Sequence, residues 1–293
     1  MMGMEFGPVF WALAALSAVA AVTYGLYFLN RPSSFLRAIV KTIFMGALTA
    51  AFVIAGAPFP LLVALAAAAA GDFWLAFDKP AILPLGILSF LLAQLAYLAI
   101  FFGLWMFSGD NAPRWPRYVA MIAIAAALVV YLLWFWRDEL KSRPISGGLA
   151  VLTLFLTGAL LPWFILIAIS ASTSDEPLAW TAPQIVGPLV LLVVALVLGW
   201  LRREMRAIKL GGMVYGGAIT AMALQAMWLP WMGWPAMLGA VLFLTSDFVL
   251  SAELFRLAPD SPARRLTAPI VWWTYAGAQA LIVTGVVLVV LQS

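Results

Sequence analysis

"AAAAAGDFWLAF", residues 66–77, sets a single carboxylate, Asp72, directly behind a run of alanines. Residues 239–254, "GAVLFLTSDFVLSAEL", repeat the arrangement, with Asp247 inside an apolar run and again followed by Phe and, two residues on, Leu. Neither stretch has a polar face to offer water, so both read as helices of a membrane interior. A carboxylate in such a helix costs about 2.5–3.5 kcal/mol on insertion scales. A chain that keeps two of them needs partners for them, or a watery cavity.

The rest of the sequence agrees. Of 293 residues, 66% are hydrophobic and 10% are charged, more apolar surface than a soluble domain hides. Apolar runs predict spans at about 8–29, 36–55, 59–77, 82–107, 117–136, 147–171, 184–201, 210–227, 232–251 and 268–291. The expected fold is therefore an all-α, polytopic transmembrane bundle of about ten spans, forming one domain over residues 1–293. The alternation of a membrane β-barrel is missing. Connectors such as "GDNAPRWPR" and "RDELKSRPISGG" carry Pro, Gly, Asn and charge. No Lys or Arg precedes the first apolar run, which is also longer than the core of a signal peptide, so it is expected to be a retained helix.

Charge orients the bundle. Of the 16 Lys and Arg residues, thirteen fall around the connectors after odd-numbered spans, two (Arg114 and Arg117) fall on the other side, and Lys41 lies inside a span. The positive-inside rule makes the odd connectors cytoplasmic and both termini non-cytoplasmic. Trp228, Trp231 and Trp234 then form an outer interfacial belt. The net charge of +4 is explained by topology, and no nucleic-acid partner is expected. The expected setting is a plasma membrane of bacterial inner-membrane type, with the bilayer as partner; the oligomeric state stays open.

The sequence holds no Cys and no His. Zinc on those residues, haem on a His and Cys- or His-based triads are excluded, and neither metal nor cofactor is expected. Acid–base work falls to Asp, Glu, Lys, Tyr or water. The phosphate-binding loop, HExxH and GxSxG are absent. "GGMVYGG", residues 211–217, reads as helix packing.

Polar residues within the spans fall at related depths. Tyr24, Lys41, Asp72, Tyr215, Asp247, Tyr275 and Gln279 lie toward one end of their spans, with both aspartates about five residues before the inner end. Gln94 and Tyr97 share a face of the fourth span. These groups are expected to converge on one pocket open to the cytoplasm. Read singly, Lys41 is a snorkelling lysine, the Tyr and Gln residues are interhelical hydrogen bonds, and Gly71 and Ser246 permit close helix contact. Glu253 reads as solvated. Spans 2–4 also resemble spans 8–10 as a parallel repeat, with Ala93-Gln94 matched by Ala278-Gln279.

These motifs resemble the lysoplasmalogenase, or YhhN, family. The matching residues are Lys41, Gly71-Asp72, Ala93-Gln94 with Tyr97, Tyr215 with Met222, Gly239-Ala240 with Phe243 and Ser246-Asp247, and Tyr275 with Gln279. The family has about eight spans, so residues 109–183 are expected to form an extra hairpin with its connectors. Gln94 stands where the family often has His, and a Gln cannot carry a proton. The resemblance implies hydrolysis of the vinyl ether bond of a lysoplasmalogen to a fatty aldehyde and a glycerophospho-headgroup. It implies Asp72, Asp247 and Lys41 as catalytic residues, with Gln94, Tyr97, Tyr215, Tyr275 and Gln279 at the substrate; Tyr24, at a similar depth, is expected beside them.

The chemistry suits carboxylates. A vinyl ether hydrolyses when an acid protonates its β-carbon, leaving an oxocarbenium ion that water captures. One Asp would be the acid and the other, paired with Lys41, the base or stabiliser, as in glycosidases. Asp247 is provisionally the acid and Asp72 the stabiliser. Arg37, Arg264 and Arg265 are candidates to hold the phosphate. Two other readings remain: a proton-coupled transporter or lipid-binding protein, and a structural membrane protein whose aspartates only join helices.

Overall fold

The computed structural model describes residues 4–77, 79–108, 114–142, 144–173, 207–258 and 261–292. These residues contain no strand. The helices are α1 (Pro8–Thr23, continuing as a π-helical turn Tyr24–Phe28), α2 (Phe35–Ile54), α3 (Phe59–Leu75), α4 (Leu83–Ser108) and α5 (Arg114–Phe135). Then come α6 (Arg137–Ser142), α7 (Pro144–Thr173), α8 (Ala207–Ala226), α9 (Trp234–Phe255, led by a short 3₁₀ turn Trp231–Gly233) and α10 (Arg264–Val290).

Nine of the ten predicted spans coincide with these helices; the seventh, residues 184–201, lies outside the described residues. Among the described residues, six helical stretches are long and apolar enough to cross a membrane: Pro8–Phe28, Phe35–Ile54, Leu83–Met106, Trp115–Phe135, Trp231–Phe255 and Arg264–Val290. Phe59–Leu75 and Val151–Ile167 are shorter apolar helices. Large apolar side chains stay on the outside, among them Val9, Trp11, Val19 and Leu26 on the first helix and Ile122, Val130 and Leu133 on α5. Such faces suit lipid.

The helix ends follow local chemistry. Ser34 caps α2 by accepting from the Arg37 N–H at 3.2 Å. Gly56, at φ +71°, closes the same helix, with Gly56 N bonded to Val53 O and Ala57 N to Phe52 O. This is the Schellman pattern, which needs a left-handed residue after the cap. Pro58 and Pro60 then start α3, whose first turn needs no N–H donors.

Two compact units divide the chain: Met1–Ile124 with Gln225–Ser293, and Ala125–Leu224. In the first, α1 packs on α2, α2 on α3 and α3 on α4, while α9 lies along α10. Contacts of α10 with α4 and with the π-turn bring the last helix onto the first four. A Cβ at Gly239 would stand 2.8 Å from Ala278 O, so α9 and α10 touch backbone to backbone. In the second unit, α7 and α8 meet as closely, at Gly158 against Val214 and Gly217 against Phe155. Of the glycine-rich stretch at 211–217, Val214 and Gly217 make these close contacts, while a Cβ at Gly211 or Gly212 would meet nothing within 4 Å.

The two aspartates do not stand alike on their helices. Asp72 is three residues from the end of α3, about 4.5 Å along the axis. α9 runs four residues beyond the predicted end, so Asp247 is eight residues, about 12 Å, from its end. The apolar pattern alone did not reveal this, because "SAELF" continues the helix through Glu253.

Candidate functional site

Asp72 is the centre of the site. Its side chain is 1% exposed. Tyr275, on α10, donates a hydrogen bond to Asp72 Oδ2 at 2.8 Å. Lys41, on α2, holds its Nζ 3.4 Å from Oδ1, an ion-pair contact. Three helices thus deliver a carboxylate, a phenol and an ammonium to one point. The pairing supplies the compensation that a buried carboxylate requires, and it removes Lys41 from the reading of a lysine that merely snorkels.

Aromatic rings wall this point. Tyr24 and Trp272 pack with centroids 4.3 Å apart. Lys41 Nζ lies 5.7 Å from the Tyr24 ring and 5.9 Å from that of Trp272, within cation–π range. Phe44, Phe90 and Phe243 each meet Tyr275 edge-on, at 5.9, 5.7 and 5.4 Å. Gly71 makes room for the wall, since a Cβ there would meet the Phe90 ring at 2.6 Å. Trp272 is fixed by its Nε1, which donates to Ala21 O at 3.1 Å. Arg37 Nε donates to the Tyr24 hydroxyl at 3.3 Å.

A second polar group lies one helical turn along α10. Tyr97, from α4, donates to Gln279 Oε1. Gln94, one turn before Tyr97 on the same face, is fully buried, and neither of its amide atoms has a hydrogen-bond partner in the protein. Gln279 Nε2 is likewise buried without one. Tyr275 and Gln279 stand one turn apart on α10, so the two layers share one face of that helix.

Asp247 is half-buried on α9. It stands one turn after Phe243, the ring that packs on both Tyr275 and Tyr97. Its neighbour Ser246 donates to Val271 O at 2.9 Å and ties this part of α9 to α10. Tyr215 is on α8 in the second unit, half-buried. The first unit thus brings together Tyr24, Lys41, Asp72, Tyr97, Tyr275 and Gln279, with Gln94 and Asp247 on faces adjoining them.

Sequence reading missed Trp272, Phe44, Phe90 and Phe243. Trp272 carried a usable signal, lying three residues before Tyr275 on one helix face. Two expectations are corrected. Glu253 is 7% exposed rather than solvated, and it accepts from the Thr267 hydroxyl. Arg264 is engaged on main-chain carbonyls, donating to Glu253 O at 2.6 Å and Ala258 O at 3.0 Å. It closes the α9–α10 connection, because the last carbonyls of a helix lack intrahelical donors.

Among the described residues, no three Asp, Glu, His or Cys side chains gather as a metal site. The arrangement can stabilise a cation beside a buried carboxylate and pass a proton through a phenol. No curated protein and no solved structure matches the chain. The profile of the YhhN family matches it twice, over residues 36–161 and 149–286, which together cover most of its length. The chain therefore belongs to the YhhN family, the family that contains the lysoplasmalogenases.

Proposed function

We propose that this membrane protein hydrolyses the vinyl ether bond of lysoplasmalogens. The observation that carries the reading is Asp72, buried between Lys41 and the Tyr275 hydroxyl. The reaction needs a proton for the β-carbon, a negative charge beside the oxocarbenium ion and a water to capture it. Asp247 donates the proton. Asp72, the negative member of its pair with Lys41, faces the developing cation, and such fixed charge is worth most where water is excluded. Water adds at C1, and the hemiacetal collapses to a fatty aldehyde and the glycerophospho-alcohol. Lys41, stacked against Tyr24 and Trp272, keeps the site neutral overall.

In the same reading the chain crosses the membrane ten times, with both termini outside and the pocket facing the cytoplasm. Residues 109–183 form an extra hairpin on an eight-span core. The charge asymmetry of the connectors supports the orientation.

The test is direct. Purified protein is incubated with a 1-alkenyl lysophospholipid, and aldehyde release is measured. Aldehyde is expected from the alkenyl substrate and none from the saturated ether, whose carbon cannot accept the proton. Absence of aldehyde across headgroups and chain lengths overturns the reading.

A further inference from the structure

Buried polar side chains in proteins are nearly always hydrogen-bonded. Gln94 offers a donor and an acceptor, and Gln279 Nε2 offers a donor, all buried and without a protein partner. Tyr97 donates to Gln279 Oε1, which leaves the N–H groups of that amide as the donors still to be matched. Gln94 and Tyr97 share a face of α4 and Tyr97 meets Gln279, so the polar groups of this layer are neutral amides and a phenol, which suit an uncharged ligand with both donor and acceptor character. An alkyl chain would leave all of them unpaired, at a cost per group.

We infer that Gln94, Gln279 and Tyr97 form a binding site for a single water, and that this water is the one that attacks the oxocarbenium carbon. The inference rests on the hydrolase reading above. A buried water makes about three hydrogen bonds on average, and these side chains supply that number. The adjoining Tyr275 links the site to the carboxylate. As the water oxygen bonds to C1, one of its protons passes to the Tyr275 oxygen and the Tyr275 proton passes to Asp72 Oδ2. One C–O bond forms, Asp72 ends protonated, and Tyr275 is restored. Gln94 and Gln279 are positioning residues here, and the Gln at 94 needs no proton of its own.

Two variants and two readouts test this. Gln94→Leu removes donor and acceptor at similar volume, and Gln94→Asn keeps the amide but withdraws it. With alkenyl lysophospholipid, Gln94→Leu is expected to lower kcat by ~100-fold, the scale of a misplaced reactant, with KM little changed. In water–methanol mixtures it should also raise the share of acetal formed by methanol capture, which a purely structural defect would leave unmoved. Gln94→Asn should fall between. Unchanged kcat and unchanged partition in both variants overturn the attacking role. High-resolution density of the wild-type protein tests the site independently of turnover: a water bridging Gln94 and Gln279, lost in Gln94→Leu, is expected. A direct Gln94–Gln279 hydrogen bond overturns the site. If wild-type protein releases no aldehyde yet the water is present, the hydrolase reading fails and the water site stands.

Discussion

Tyr275 and Asp72, 203 residues apart in the chain, are joined by a 2.8 Å hydrogen bond from phenol to carboxylate. The last helix thereby fixes the buried acid of the third. Removing the bond leaves one buried carboxylate oxygen without its donor. Tyr275→Phe should destabilise the protein by about 1.5–3 kcal/mol, the range for a hydrogen bond to a charged group. Thermal unfolding in detergent measures the loss, and turnover of the alkenyl substrate should fall with it.

Lys41 and Asp72 compensate each other. Lys41→Met strands a buried carboxylate and should cost about 3–5 kcal/mol. Asp72→Asn should abolish aldehyde release while leaving a folded protein. The double variant Lys41→Met with Asp72→Asn should regain most of the stability lost by Lys41→Met alone, yet none of the activity. Thermal midpoints of the four proteins give the coupling, and additive effects would mean that the two groups do not depend on each other.

Asp247→Asn separates the two acids. It should eliminate turnover with little change in thermal midpoint, because Asp247 is half-buried while Asp72 is enclosed. An Asp247→Asn protein retaining full activity would move the proton donor elsewhere.

Arg264 distinguishes a helix-end brace from a phosphate ligand. Its guanidinium lies on the carbonyls of Glu253 and Ala258. Arg264→Ala should lower the thermal midpoint and leave KM for the lysophospholipid unchanged. A raised KM at unchanged stability would restore the phosphate role.

Gly239 sets the spacing of α9 and α10. With Ala278 O only 2.8 Å from where a Cβ would lie, Gly239→Val forces the two backbones apart. Overpacking of this kind costs about 1–3 kcal/mol. Because Phe243 is one turn along α9, the same change should also loosen the ring wall around Tyr275 and reduce activity more than stability alone explains.

Much of this was legible in the sequence. The helices follow from apolar runs and their breakers, because lipid requires each backbone group to be satisfied within its own segment. The polar candidates stood out because each is costly in that setting. Lys41, Asp72 and Tyr275 were all visible, and so was the repeated Ala-Gln pair whose glutamines flank Tyr97. The ring wall was not, since in a sequence a phenylalanine packed on a buried tyrosine looks like one facing an acyl chain.

By itself the sequence determined a helical membrane protein, the few residues able to do chemistry in it, and its family. The tertiary structure alone decided that Asp72 takes Lys41 and Tyr275 as partners, that Gln94 is enclosed, and that Arg264 braces a helix end. The physical reason is the uniform greasiness of the helices. With apolar residues on every side, no stripe marks which face turns inward. That choice is left to contacts between helices, such as Gly239 against Ala278 and Gly71 against Phe90.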